Sequence, residues 1–254
     1  MSKNLFEEFE EVSTKQWKQK IQYDLKGEDY NETLVWKTNH GVNVKPFYNS
    51  EEMISSSNPV IPTSWKIVEK IYVASTKISN KRAQNVLSRG AESLWFVIPS
   101  EEIEPKELFA EINLESTPIF LEFEFLSEAY FLKLKNYLSG KNHQVTYQID
   151  VIGNLARSGN FYHNQKQDHE ILGQIASEAK AFLSIDATLY QNAGANIPQE
   201  LAYSLAHANE YLNHFFNSEK TGFGADFTPT FKVSVGSNYF FEIAKLRALR
   251  KLYA

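Results

Sequence analysis

Hydrophobic and polar positions follow two regimes along this chain, and the change falls near residue 62. In the first, Ser13 and Gln16 have capping-box spacing, Trp17, Ile21 and Leu25 share one face, and Gly27 suits a stop, which predicts a short amphipathic helix. Residues 34–37 and 42–48 then alternate apolar with polar around His40-Gly41, the pattern of two extended segments joined by a turn. The polar stretch 49–58, followed by Pro59 and Pro62, reads as a linker. Residues 1–62 therefore form an arm too thin to bury a core of its own, expected to lie across a partner.

In the second regime, residues 63–254, strand-like runs alternate with helical runs, the signature of a parallel sheet with crossover helices. Five strands are predicted, at 94–98, 118–125, 145–150, 182–189 and 231–235. Leu201, Leu205, Ala208, Leu212 and Phe215 make one helical stripe, with Pro198 in its first turn and Asn196 near its cap. In the last helix Tyr239, Ile243, Leu246, Leu249 and Tyr253 fall on one face, the face expected to pack inward. The fold class is α/β: a partial (βα)8 TIM-type barrel of about five units behind a helical and extended N-terminal arm. A complete barrel has eight units in about 250 residues, so the first and fifth strands are expected to have open edges. Another chain or a second copy is the expected cover, and homo-oligomerisation through those edges or the arm follows.

The strands carry an unusual inner face. Parallel strands with both faces buried normally read as unbroken Val/Ile/Leu runs, yet here Glu122 and Glu124, then Thr146, Gln148 and Asp150, then Ser184, Asp186 and Thr188, then Lys232 and Ser234 recur at alternate positions. The opposite faces hold Leu121, Phe123, Phe125, Ile185, Ala187, Phe231, Val233 and Val235, where helices would pack. Two uses of a polar interior stay open. One is a channel for a long polar ligand, and the other is a filled interior in which Lys232 neutralises Glu122 or Glu124. The two glutamates lie roughly 7 Å apart along one strand, a spacing that also allows acid and base roles.

Composition narrows the partners. A net charge of -5 from 31 acidic and 26 basic residues, with no basic run, argues against nucleic acid. The absence of cysteine removes disulfides, thiolate catalysis and Cys-ligated zinc. No window approaches the roughly 18 apolar residues of a membrane span, and the polar N-terminus has no secretion-signal core, so no membrane partner and a cytoplasmic location are expected. There is no GxxxxGK[ST], GxGxxG, HExxH or GxSxG. His163, Asp168, His169 and Glu170 form a His-carboxylate cluster, but in so polar a segment it reads as a solvated loop, and no metal site is expected. His207 reads as lying on the polar side of its helix, and His40, His143 and His214 as lying in or near turns, none with a Ser or Asp partner at a recognisable spacing.

The run GSNYFFEIAKLRALRKLY at 236–253, together with QNAGA at 191–195, resembles the methylmalonyl-CoA mutase family. The segment WKQKIQYDLKGEDYNETLVWKTNHGVNVKPFY resembles that family's N-terminal arm, so the likeness covers nearly the whole chain. Within the family it is greatest to the small subunits of heterodimeric bacterial enzymes, which resemble the catalytic subunit but do not bind adenosylcobalamin.

The resemblance implies a division of labour. Catalytic subunits carry a Tyr-His pair ahead of the stretch matched by QNAGA, and here Thr188 and Leu189 stand in those places, so no catalytic residue is expected in this chain. The family's Tyr-Ala-Gly-Phe-Ser-Thr-Ala-Glu segment is missing after Trp65, and no Asp-x-His-x-x-Gly occurs, so no cofactor is expected on this chain and adenosylcobalamin is expected in a large partner subunit. The family's Thr-x-Gln, which contacts the CoA ester, matches Thr146 and Gln148, while Ser158 takes the place of a family arginine with Arg157 beside it. The implied function is a non-catalytic small-subunit-type chain of the mutase, whose complex interconverts methylmalonyl-CoA and succinyl-CoA. The alternative is a stand-alone acyl-CoA binding module without catalysis. Family barrels continue beyond the position matching Ala254, so a longer parent chain is expected.

Overall fold

The computed structural model describes residues 9–10, 12–52, 64–179, 182–216 and 229–254. The chain divides into two compact units, Met1–Asn58 and Pro59–Ala254. In the first, helix α1 (Thr14–Asp24) starts on the expected capping box: Ser13 Oγ accepts from the Gln16 N–H at 3.3 Å, and Gln16 Oε1 accepts from the Ser13 N–H at 2.9 Å. Past its end, Gly27 takes a φ of 102°, a left-handed conformation that a Cβ would disfavour. The short helix α2 (Tyr30–Leu34) is capped by Asp29, and β1 (Trp36–Lys37) pairs antiparallel with β2 (Asn43–Val44) around Gly41 at φ 73°. In the predicted linker, a single 3₁₀ turn, Ser50–Glu52, brings Glu51 to the start of α1, where its carboxylate accepts from the Thr14 hydroxyl at 2.6 Å. The rest of that linker, with Pro59 and Pro62, lies outside the described residues.

The second unit alternates strand and helix at first: β3 (Val68–Tyr72), α3 (Thr76–Ser88), β4 (Ser93–Ile98), α4 (Pro105–Leu108), β5 (Ile119–Phe123), α5 (Glu128–Leu138) and β6 (Val145–Gln148). They are followed by α6 (Val151–Ser158), α7 (Gln165–Glu178), β7 (Ser184–Asp186), α8 (Thr188–Asn192), α9 (Ile197–Phe216), β8 (Thr230–Lys232) and α10 (Tyr239–Tyr253). All pairings are parallel, in the order β3-β4-β5-β6 and β7-β8. Among the described residues, one bridge, Ile149 with Leu183, links the two sets.

The core lies between the outer face of these strands and their helices, and it includes Ile71, Leu94, Phe96, Ile98, Ile119, Leu121, Ile149 and Ile185. The inner face is curved, as shown by Lys70 of β3 and Lys232 of β8 meeting the same Glu122 oxygen of β5, at 3.0 and 3.3 Å. In a flat sheet with strands about 4.8 Å apart, the outermost strands would lie roughly 24 Å from each other. This is the α/β, partial-barrel architecture expected from the sequence.

Several elements differ from expectation. The parallel array begins one strand earlier, at β3, whose Glu69 and Lys70 break the apolar run. The strand expected at 182–189 ends at Asp186, so Thr188 and Leu189 belong to helix α8. The strand expected at 231–235 ends at Lys232, and Val235 is 70% exposed instead of packing under a helix.

The last helix is rotated from the expected orientation. Glu242, Lys245 and Leu249 are its buried residues, while Tyr239 and Phe240 are 70% and 79% exposed. The cause is electrostatic: α9 presents a buried Glu200 to this helix, and Lys245 must turn inward to pair with it. Leu249 alone of the expected stripe is buried, and Tyr253 keeps an edge contact with Phe231 at 4.9 Å between ring centres.

Candidate functional site

Strand alternation places Lys70 and Tyr72, Trp95, Glu122, Gln148, Ser184 and Asp186, and Lys232 on the same inner face. The polar face expected from the sequence therefore exists, and it is closed by ion pairs. Lys232 Nζ stands 3.3 Å from Glu122 Oε2 and 3.1 Å from Asp186 Oδ2, so it spans the interior between β5 and β7. Glu122 also accepts from Lys70 at 3.0 Å and from the Trp95 indole N–H at 2.6 Å. Arg157 of α6 closes the other side, 2.6 Å from Asp186 Oδ2. Both lysines also lie over the Trp95 ring, at 5.9 and 5.4 Å from its centre.

These contacts set the charge states. Burial pushes the Glu122 carboxyl up, but Lys232, Lys70 and the Trp95 N–H outweigh it and hold the group below its ordinary 4.5. Burial likewise raises Asp186, and the Thr188 hydroxyl, Lys232 and Arg157 bring it below 3.8. For Lys232, burial lowers the pKa, and the two carboxylates more than reverse that, leaving it above 10.5. All three groups are charged at neutral pH.

A testable pH dependence follows. The depressed carboxylates contribute stability that is present above 4.5 and lost as pH falls through their folded values. The raised lysine contributes stability that is present below 10.5 and lost as pH rises through its folded value. Thermal melts of the wild type and Lys232→Met should differ by a constant amount between these limits and converge on both sides of them. A difference that does not narrow at acid pH would show that the cluster is not formed in solution.

The residues flagged in the sequence fare differently. Glu122 and Glu124 do not act as a pair, because Glu124 instead accepts from the Tyr72 hydroxyl at 3.1 Å. Thr146 Oγ1 is directed to the Ile119 carbonyl at 3.4 Å. Gln148 is buried and donates to Thr230 Oγ1 at 3.4 Å, while its Oε1 has no hydrogen-bond partner. The cavity beside it holds about 250 Å³ and is lined by Trp95, Glu122, Asp150, Arg157, Tyr162 and Lys232, among others. Thr188 donates its hydroxyl to Asp186. Asp168, on helix α7 where a solvated loop was expected, pairs at 2.9 Å with His163 in the bend just before that helix; Asp168 is fully buried and also accepts from two backbone N–H groups. Among the described residues no group of three or more His, Cys, Asp or Glu is placed to hold a metal ion.

One network went unread in the sequence. His207 is 3% exposed, not on a solvated helix face, and its Nε2 lies 2.8 Å from Asp150 Oδ1. The same carboxyl oxygen accepts from Tyr211 at 2.9 Å, and Tyr190 reaches His207 Nδ1 at 3.1 Å. Burial, followed by Asp150 and Asp186, pushes the Tyr190 phenol up to about 12, and it stays protonated.

Parallel βα units curved around a polar interior, with the charged side chains toward the C-terminal ends of the strands, define a βα-barrel-type protein; that end is where such barrels carry their ligand sites. A family model for methylmalonyl-CoA mutase matches residues 103–254. The methylmalonyl-CoA mutase small subunit of Porphyromonas gingivalis is 31% identical over 98% of this chain and 44% of its own length. The small subunit of Propionibacterium freudenreichii subsp. shermanii is 28% identical over 70% of this chain and 29% of its own length. The large subunit of Streptomyces virginiae is 33% identical over 43% of this chain and 16% of its own length. The chain belongs to the methylmalonyl-CoA mutase family, and it spans less than half the length of these relatives.

Proposed function

We propose that this chain is part of a non-catalytic, small-subunit-type component of an adenosylcobalamin-dependent methylmalonyl-CoA mutase, and that it supports a cobalamin-bearing large subunit. The observation that carries this reading is the Lys232 bridge: it fills with paired charge the interior through which a substrate arm would have to pass. Threading an acyl chain there would strip buried ions of their partners, at a cost of several kcal/mol. The cavities beside the bridge hold about 250 and about 570 Å³, and both are lined by the paired charges of Glu122, Arg157, Asp186 and Lys232.

The residues do not fit the cofactor either. Where catalytic subunits have Tyr-His, Thr188 directs its hydroxyl to Asp186 and Leu189 has no nitrogen to offer. The charged groups around them suit one another rather than the face of a corrin ring. Both small-subunit and large-subunit relatives are known for this family, which supports a large-subunit partner.

Co-expression with a cobalamin-binding mutase subunit tests the reading. The expected result is a complex that survives size-exclusion chromatography at micromolar concentration, and two separate peaks would overturn it. One observation favours a second reading, an acyl-CoA binding module: the bare Oε1 of Gln148 could accept from an amide N–H. Calorimetry of this chain with CoA esters separates the two. No heat at millimolar ligand is expected, and saturable binding abolished by Gln148→Leu would establish the module instead.

A further inference from the structure

Helices α7 and α9 bring His169 and His214 together, with ring centres 4.6 Å apart and planes crossing at 62°. Neither belongs to the interior cluster, and they come from sequence segments 45 residues apart. His169 Nδ1 lies 2.7 Å from the Gln165 carbonyl one turn earlier. A carbonyl only accepts, so this nitrogen carries the proton and Nε2 is left with its lone pair. Metal-bound histidines are commonly held in this way, the second ring nitrogen donating to a backbone carbonyl that fixes tautomer and orientation. His214 is exposed, with its ring edge-on to those of His169 and Phe215. With metal–nitrogen bonds of about 2.1 Å and a tetrahedral angle, two imidazoles on one ion place their ring centres roughly 5 Å apart.

We propose that His169 and His214 form a two-histidine surface site for a divalent transition metal of the zinc, nickel or copper class, with water completing the coordination. Imidazole suits these ions better than it suits magnesium or calcium. The bound ion ties α7 to the C-terminal end of α9.

Calorimetry with zinc chloride or nickel chloride alone, on the metal-free chain, tests the site. One saturable site is expected, weakened roughly tenfold or more by either His169→Gln or His214→Gln and unchanged by His163→Gln, whose ring is engaged by Asp168. Both positions are at the surface, so the variants should fold, and circular dichroism checks this. Copper(II) bound to the wild type should show two nitrogen ligands in its electron paramagnetic resonance spectrum. No saturable binding at millimolar metal, or binding that survives His214→Gln, overturns the proposal.

Discussion

Lys245→Met is expected to cost about 3–5 kcal/mol of stability, the range for leaving buried charge without its partner. The ammonium is fully enclosed: side-chain exposure is 0% for Lys245, 1% for Glu200 and 7% for Glu242. Its Nζ donates to Glu200 Oε2 at 2.9 Å and to the Ser234 carbonyl at 2.7 Å, and stands 2.6 Å from Glu242 Oε2. Removing it leaves two carboxylates facing each other in the gap between α9 and α10, with no cation and little water. Methionine matches the volume of the lysine stem, so the loss reads charge and not a cavity. Urea unfolding monitored by circular dichroism measures the effect, and the triple variant Glu200→Gln, Glu242→Gln, Lys245→Met should recover most of it. A single-variant loss below about 1 kcal/mol, the range of an exposed pair, would mean that α10 does not dock on α9 in solution.

That buried ion cluster also explains why the last helix was misread. The segment 239–253 has two stripes at helical spacing, one apolar and one containing Glu242 and Lys245, and periodicity alone favours burying the apolar one. The choice was made by Glu200, which lies on a different helix, at a distance in sequence that no local pattern reports. His207 was lost for the same reason: its partner Asp150 precedes it by 57 residues. The inner face of the barrel was readable because its evidence is local. Glu122 lies between Leu121 and Phe123, and Asp186 between Ile185 and Ala187, and alternation at period two needs no knowledge of partners. Opposite charges on two such faces even anticipated the pairing of Lys232 with Glu122, though not the shared contact with Asp186. Strand β3 escaped because it is an outer strand with Val68, Lys70 and Tyr72 partly open, so its apolar signal is thin.

Asp150→Ala is the second large effect expected, a loss of about 3 kcal/mol or more, because one side chain holds the weakest seam of the sheet together. Just past β6 and just before β7, one bridge among the described residues, Ile149 with Leu183, joins the two backbones. The Asp150 carboxylate takes over there: Oδ2 accepts from the Asp186 N–H at 2.8 Å, one rung beyond the last backbone bond. Its other oxygen accepts from the Gly153 N–H at 2.8 Å, capping α6, and from His207 and Tyr211 at 2.8 and 2.9 Å. Alanine would leave four buried donors without an acceptor, each costing on the order of 1 kcal/mol or more. Tyr211→Phe removes only one of the four and should cost about 1 kcal/mol. Gly153→Ala probes the same seam from the other side, since its added Cβ would stand 2.2 Å from Asp150 Oδ2 and force the carboxylate out of place. If the seam depends on Asp150, Gly153→Ala and Asp150→Ala will each be severe, and together they will cost much less than their sum, because both remove the same contacts. Additive losses in that double-variant cycle would show that the carboxylate serves α6 alone and that β6 and β7 are held by other contacts.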